Sequence, residues 1–371
     1  MITCKLHNQI ENFVPYIHSN FVTTDTIGEH FVYLISDTTP GAISGRHRHT
    51  SGDLFCWLDE IDLPAYVVKA VRNNKCAVII DDTQEGFKKS EVDDNLKKFT
   101  ARHGLNTADC AKHILYLTSN LAYEDSEFYS VIKRPFIIDV CKHVWFGNWD
   151  KNGIQKSIRE ENFKKIIDAR SKKVWDFQFV SLQQRPRDFR IELRNKLRSK
   201  YDRNMSICTL KEGSAGDDLS NSKSIEKSPY DTIIDKEYPW YQITSEHFSH
   251  VKYAVVSETE YYGEDKKLLT EKIIKNLIYP QPFVFIGYKK QLQDIRNLGF
   301  KVYDDLVDHS YDNLNDDERM NAAIQELDRI LNIDPENYKE HALFNCDVVQ
   351  NTDNFKEVYD HVEKLITHQL S

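Results

Sequence analysis

Residues 251–303 constrain the fold of this chain most, because their apolar residues switch between two spacings. Two short apolar runs, 253–256 and 283–286, have the composition of buried strands. Between them apolar residues recur at the spacing of one helix face, at Leu269, Ile273, Ile274, Leu277 and Ile278. A second helix over 292–298, stopped by Gly299, leads to a third predicted strand at 300–303. This alternation predicts half of a doubly wound parallel sheet.

Three charged residues follow the first of these strands. Glu258 comes just after it, and Glu271 and Lys272 lie in the first turn of the next helix, which Thr270 can cap. Because ligands of open parallel sheets bind beyond the carboxyl ends of the strands, we expect these side chains to line one crevice. Helix-start amides and Lys272 would attract a phosphate, and a carboxylate there suits sugar hydroxyls. A capped helix start on a solvated face explains the same spacing.

Three short motifs in this stretch are Ser257-Glu258-Thr259, the Leu-Thr-Glu-Lys run at 269–272 and the Gln-Pro-Phe-Val-Phe-Ile-Gly run at 281–287. Together they resemble the donor-binding half of fucosyltransferase-like glycosyltransferases of the GT-B fold. The resemblance is close over residues 251–303 and weak over the rest of the C-terminal half. It implies a nucleotide-sugar site with Glu271 on the ribose and Lys272 on the pyrophosphate. The loop at 260–268 does not match, so the identity of the sugar is not implied.

A looser similarity is to glycosyltransferase-like proteins of tailed bacteriophages, some of which attach sugars to modified DNA bases. The length of 371 residues suits two domains. We expect an α/β protein of GT-B architecture, with two Rossmann-like domains facing each other across a cleft. The predicted limits are 1–165 for the domain with the acceptor and the base, and 166–350 for the donor domain. In GT-B enzymes a last helix commonly crosses back to the first domain, which is the role expected for residues 351–371.

The N-terminal half also alternates predicted strands and helices, with strands at 31–35, 76–80, 113–117 and 136–140. Acidic residues follow the second of these strands, and crowded carboxylates favour a general base near neutral pH. Glu85 is the predicted base, with Asp82 as the alternate. A turn that merely ends a strand explains the same residues. Asn120, at the end of the next strand, suits hydrogen bonding to the acceptor.

Arginines supply the remaining candidates. Arg185 and Arg190 lie at or near the start of a helix that follows a predicted strand over 175–182, where guanidinium groups can clamp a diphosphate. The loop Gly-Arg-His-Arg-His at 45–49 contains Arg46 and Arg48, which we assign to acceptor binding. A solvated loop is the simpler interpretation, and no partner at ligand spacing supports a metal there.

Composition narrows the class of protein. The chain is 40% hydrophobic and 29% charged, as in globular proteins, and contains no apolar run near the roughly 18 residues of a membrane span. We expect a cytoplasmic protein, in the host cytoplasm if phage-encoded. The net charge of −9 argues against non-specific coating of nucleic acid. The seven cysteines form no CxxC pair, and Cys76 and Cys141, within apolar runs, are predicted to be buried free thiols.

These observations lead to one functional hypothesis and one rival. We expect a nucleotide-sugar-dependent glycosyltransferase that needs no cofactor and no metal, because basic side chains and helix-start amides can neutralise the leaving diphosphate. Sugar transfer with inversion of the anomeric configuration is favoured over transfer with retention, and the sequence leaves both open. The acceptor is a hydroxyl of either a glycan or a hydroxylated or hydroxymethylated base in DNA. The rival is a non-catalytic two-domain protein that binds nucleotide sugar or uses its cleft for protein contacts.

Overall fold

The computed structural model describes residues 3–6, 22–23, 28–36, 58, 61–83, 89–123, 126, 129–146, 154–183, 187–202, 206–210, 249–263 and 266–367. The chain forms two compact units. The first comprises Met1–Val140, Glu264–Leu268 and Thr352–Ser371, and the second comprises Cys141–Gly263 and Leu269–Asn351. Each is an α/β unit with a parallel sheet, which is compatible with a Rossmann-like fold. None of the described helices is long and apolar enough to cross a membrane.

The first unit is built on a parallel sheet whose described strands are β1 (Thr3–Leu6), β2 (Val22–Thr23), β3 (Phe31–Ser36), β4 (Cys76–Asp82), β5 (Ile114–Thr118) and β6 (Ser130–Lys133). Their order across the sheet is β2-β1-β3-β4-β5-β6, and Ser36 pairs with Asp81 while Asp82 pairs with Thr118. The described helices in the first part of this unit are α1 (Ala65–Arg72), α2 (Lys89–Arg102), α3 (Ala108–Ala111) and α4 (Ile137–Cys141), whose last residue begins the second unit.

Strand β4 is buried on both of its faces. Val78 and Ile80, on one face, are fully buried and share a core with Phe99 from α2 and with Tyr116 from β5, and the residues at 77 and 79, on the other face, are buried as well. A continuous apolar run is the pattern expected of a strand covered on both sides, as the sequence predicted for this strand. The free thiol of Cys76 lies in the same core, and that of Cys141 is also buried, which confirms the prediction for both.

The second unit contains a parallel sheet of four described strands, β7 (Phe177–Gln183), β8 (Ser206–Leu210), β9 (Val251–Ser257) and β10 (Phe283–Ile286). Their order is β10-β9-β7-β8. From β7 the chain first adds β8 on one side and then β9 on the other, so the order reverses between β7 and β9. In open parallel sheets such a reversal is where ligands bind.

The second unit also contains helices and two short helical turns. A π-helical turn over Lys142–Phe146 precedes α5 (Ile154–Ser171), and α6 (Asp188–Lys200) follows β7. The later helices are α7 (Glu271–Ile278), α8 (Gln291–Asn297), a 3-10 turn at His309–Asn313, α9 (Asp316–Leu331) and α10 (Lys339–Asn351). The last helix, α11 (Asn354–Thr367), belongs to the first unit, where the ring of Phe355 lies 4.8 Å from that of Phe136.

The amphipathic face predicted for α7 is confirmed. Its four apolar residues at 273, 274, 277 and 278 are buried, together with Leu269 just before the helix. The helix begins where the sequence predicts, because Thr270 caps it and its side chain accepts a hydrogen bond from the Lys272 N–H. Helix α8 also ends as predicted, before Gly299 at φ +89°, a conformation that glycine adopts without strain.

Two predicted strands are wrong. The apolar run 136–140 is largely helical, as α4, and the strand at this place is β6. A short apolar run fits a buried helix as well as a strand, so period alone cannot separate them. Residues 300–303 belong to no strand of the sheet. The backbone of Lys301 pairs instead with a side chain: the Asn345 amide accepts from the Lys301 N–H and donates to the Lys301 carbonyl, each at 2.9 Å.

Candidate functional site

The candidate site lies in the second unit, where the chain leaves the carboxyl ends of β9 and β7. Glu258 directly follows β9, and its N–H donates to the carbonyl of Ile286 at the end of β10 (2.9 Å). Arg190, in the first turn of α6 after β7, donates from Nη2 to the Glu258 carbonyl (2.6 Å). The start of α6 and the end of β9 are therefore joined directly.

Glu258 is fully buried, and both of its carboxylate oxygens accept hydrogen bonds. Oε1 accepts from the Thr270 N–H (3.2 Å), and Oε2 accepts from the Thr270 hydroxyl (2.6 Å) and from the Thr259 N–H (3.0 Å). Because three donors meet this carboxylate, Glu258 fixes the start of α7 against the end of β9. Contact of Glu258 with a donor stays a prediction.

The start of α7 presents one cation and one carboxylate. Lys272 Nζ lies 2.9 Å from Glu271 Oε1 and 3.3 Å from the hydroxyl oxygens of both Thr259 and Thr270. Unlike Glu258, these two side chains are partly exposed, by 26% for Lys272 and 19% for Glu271. The structure therefore brings Glu258, Glu271 and Lys272 together at one edge of the sheet, and it leaves two of them accessible to a ligand.

The electrostatics of the cluster follow from burial and from its lysines. Burial raises the pKa of Glu258, although Lys272 and the Thr270 hydrogen bond act against it. Burial would also raise the pKa of Glu271, but Lys272 and Lys275 outweigh it and hold that pKa below its ordinary value. Burial lowers the pKa of Lys275, with Glu271 opposing the change. Glu271 is therefore a carboxylate that can accept hydrogen bonds from a ligand hydroxyl.

Arg190 adds a second cation beneath the surface. Its side chain is 2% exposed, and burial lowers its pKa to about 10, with neighbouring Arg187 acting in the same direction and Glu258 opposing both. A guanidinium with this pKa stays protonated at neutral pH. Arg187 itself pairs with Glu260 at 3.4 Å. The sequence predicted Arg190 as a donor phosphate ligand; the structure places it against the Glu258 carbonyl, and its contact with a phosphate stays a prediction.

The first unit positions Asp82 and Asn120 close to each other at the carboxyl ends of β4 and β5. The Thr118 hydroxyl donates to Asp82 Oδ2 (3.3 Å), and its oxygen accepts from the Asn120 N–H (3.1 Å). The Tyr116 hydroxyl also donates to Asp82 Oδ2. Asp82 is 3% exposed, so its carboxylate has a structural task at the end of β4, and its role as alternate base stays a prediction.

Asn120 is fully buried and bonds to backbone. Its Oδ1 accepts from the N–H groups of Ala122 (3.0 Å) and Lys267 (2.9 Å), and the Lys267 carbonyl accepts from the Leu121 N–H (2.9 Å). Lys267, which belongs to the first unit, is thus held at the end of β5. These bonds give Asn120 a structural role, and its contact with an acceptor stays a prediction.

Four candidates lie outside the described residues, namely Glu85, Arg185, Arg46 and Arg48. Within the described part of the chain, no three His, Cys, Asp or Glu side chains gather as a metal site.

The residue that the sequence analysis missed is Arg319, which is fully buried beside the loops of the candidate site. A weak signal exists in the sequence, because Arg319 lies on the apolar stripe of α9 with Ala323 and Leu327, four and eight positions later. A charged residue on an apolar stripe is rarely buried unless it is paired. Comparison of the sequence with models of known protein families and with curated proteins gives no match, so the chemistry of this site rests on its own residues.

Proposed function

We propose that this protein is a nucleotide-sugar-dependent glycosyltransferase of the GT-B type, related to the fucosyltransferase-like enzymes. The observation that supports it best is the cluster of Glu258, Glu271, Lys272 and Arg190 at the point where strand order reverses. A phosphate-attracting helix start beside a carboxylate that can accept from hydroxyls fits one ligand class well, a sugar nucleotide.

In this proposal each side chain has one task. Lys272 exchanges its contact with Glu271, now 2.9 Å, for a phosphate oxygen of the donor. Glu271, released from that ion pair, accepts hydrogen bonds from the ribose hydroxyls. Glu258 holds Thr270 so that the helix-start amides face the diphosphate. Arg185 and Arg190 add positive charge, so that the leaving diphosphate is neutralised by protein groups and no metal is assigned.

The acceptor half of the proposal rests on the sequence. Glu85 would remove the proton of the acceptor hydroxyl while the hydroxyl oxygen attacks the anomeric carbon and the diphosphate leaves, so that the anomeric configuration inverts. Asp82 is the alternate base. Arg46, Arg48 and Asn120 would hold the acceptor, a glycan or a modified base in phage DNA. Affinity for duplex DNA measured against salt concentration separates the two acceptor classes, because phosphate contacts make binding strongly salt-dependent.

A thermal-shift screen of nucleotide sugars against the full chain tests the donor site. A ligand at a hundred times its dissociation constant stabilises a protein by about 2.7 kcal/mol, which is easily measured. Replacing Lys272 with alanine removes a charged partner worth about 1.5–3 kcal/mol, so the dissociation constant of the best donor should rise about tenfold or more.

The matched control is Lys301→Ala, which also removes one positive charge but from an exposed lysine over the Phe344 ring (4.1 Å). It should leave donor affinity unchanged. Equal donor affinity in the Lys272→Ala and wild-type proteins would contradict the assignment.

The rival hypothesis, a protein that binds nucleotide sugar without catalysis, is favoured by one observation. The carboxylate of Asp82 is 3% exposed and already accepts from two hydroxyls, so it is poorly placed to take a proton from an acceptor. This rival predicts donor binding without slow hydrolysis of the donor. It also predicts that Glu85→Gln has no effect, whereas a glycosyltransferase with Glu85 as base loses most of its turnover.

A further inference from the structure

Arg319 in α9 has an exposed fraction of 0% and donates hydrogen bonds to three separate backbone carbonyls. Nε donates to the Gly287 carbonyl (3.0 Å), Nη1 to the Leu314 carbonyl (3.0 Å) and Nη2 to the Tyr261 carbonyl (2.9 Å). Nη2 also lies 2.7 Å from Asp316 Oδ1. One guanidinium therefore ties together the start of α9, the loop after β9 and the turn after β10.

The loop after β9 is part of the candidate site, because Glu258 begins it. The guanidinium of Arg319 lies 4.5 Å from the centre of the Tyr261 ring, which stacks on Phe189 at 5.2 Å with the ring planes 11° apart. Phe189 is adjacent in α6 to Arg190, which donates to the Glu258 carbonyl (2.6 Å). A continuous series of contacts thus joins Arg319 to the residue that holds the start of α7.

The turn after β10 is packed so closely that it has little freedom. A Cβ atom on Gly287 would lie 1.9 Å from the side-chain oxygen of Gln291, and one on Gly263 would lie 2.2 Å from Tyr288 Cβ. The loop after β9 therefore packs directly on the turn after β10. Because Arg319 binds a carbonyl in each, a change in its position would displace both.

A second buried arginine, Arg170, provides the contrast at the opposite end of the same strand. It is 3% exposed, donates to the carbonyls of Val251 (2.9 Å) and Lys252 (3.2 Å), and lies over the Trp175 ring at 4.8 Å. Val251 and Lys252 begin β9, whereas Tyr261 follows its carboxyl end. The two arginines have similar burial and similar partners, and they differ in which edge of the sheet they hold.

We propose that Arg319 is a positioning residue of the donor site, which keeps the loops after β9 and β10 in the geometry that binds the diphosphate. For its ligand the inference rests on the proposed function. Lysine in place of Arg319 keeps the charge but offers one ammonium group, which cannot hold three carbonyls in a fixed fork.

The experiment compares Arg319→Lys with Arg170→Lys in the full chain, using two measurements. Amide hydrogen exchange without ligand should rise at 258–263 and 287–290 in Arg319→Lys only. The dissociation constants for GDP and UDP, whichever the wild type binds, should rise about tenfold in Arg319→Lys, as expected for about 1.4 kcal/mol, and stay within about twofold in Arg170→Lys. Both variants should lose thermal stability, so the contrast separates positioning from a general loss of stability.

Should Arg319→Lys fail to fold, Asp316→Ala removes a single partner of Arg319 at a 39%-exposed position and should give a smaller change of the same kind. If amide hydrogen exchange at these two loops rises equally in the two lysine variants, or rises in neither, the inference is wrong. A wild-type protein that binds neither nucleotide refutes that part of the proposed function, and the exchange pattern then decides alone whether Arg319 positions the two loops.

Discussion

The carboxyl edges of the two sheets are built alike up to a point. Each has a buried carboxylate that helps to hold a strand end, Asp82 at 3% exposure in the first unit and Glu258 at 0% in the second. Each carboxylate accepts from a threonine hydroxyl, Thr118 at 3.3 Å and Thr270 at 2.6 Å. The two edges differ in what surrounds that pair.

Around Asp82 the partners include the neutral hydroxyls of Tyr116 and Thr118, both from β5. Around Glu258 the partners include two backbone N–H groups, and Lys272 and Glu271 remain partly exposed beside it. A buried carboxylate alone indicates only that a strand end is well anchored. A buried carboxylate that also holds a helix start beside an accessible cation can support a ligand-binding site.

The largest expected effect compares Glu258→Gln with Asp82→Asn. Two donors to Glu258 are backbone N–H groups, which cannot reverse, so the amide –NH2 of glutamine would oppose one of them. We expect a loss of about 3–4 kcal/mol, because a buried polar group without a partner costs about 1–3 kcal/mol and the amide contact adds repulsion. The hydroxyl partners of Asp82 can rotate, so Asp82→Asn should cost about 1 kcal/mol.

Denaturant unfolding at neutral pH measures both losses. Equal losses at the two positions would show that the edges do not differ in the way described.

A smaller effect concerns Asp312, a third carboxylate at the edge of the second sheet. It is 3% exposed and its Oδ2 accepts from the Leu292 N–H (2.9 Å) at the start of α8. Burial raises the pKa of Asp312 from 3.8 to about 6, so the folded protein binds this proton more tightly than the unfolded chain. Its contribution to the free energy of unfolding therefore falls as pH rises from about 4 to about 6.

Replacing Asp312 with asparagine removes that penalty and keeps an acceptor for Leu292. A pKa difference of one is worth about 1.4 kcal/mol, so the variant should be about 2–3 kcal/mol more stable than the wild type above pH 6. Below pH 4 the difference should vanish. Unfolding curves of both proteins recorded across this pH range test the prediction. A stability difference that does not change with pH would contradict the electrostatic cause.

Two threonine substitutions should have the smallest effect on stability and should differ in their effect on donor binding. Thr118→Val and Thr270→Val each remove one hydroxyl that bridges a buried carboxylate and a backbone N–H. Each should cost about 1 kcal/mol. Only Thr270→Val should also weaken binding of the nucleotide-sugar donor, which isothermal titration measures. Weakened binding in both variants would remove the distinction between the two edges.

Much of the second unit could be predicted from its sequence. The strands at β9 and β10, the face of α7 and its cap all follow from local spacing, because a helix and a strand repeat at different periods. Local spacing failed at 136–140 and at 300–303. There the outcome depended on partners distant in sequence, such as Asn345, whose amide pairs with Lys301.

Local sequence patterns were enough to predict the alternation of strands and helices and the neighbourhood of Glu258, Glu271 and Lys272. A strand end and the start of the next helix lie at the same edge of a parallel sheet, so these residues are expected to be close. Packing between distant elements explains why Glu258 is enclosed while Lys272 stays accessible, and why Arg319, some sixty residues later, holds the same loops. Burial and long-range hydrogen bonds depend on which elements pack together, which local sequence does not specify.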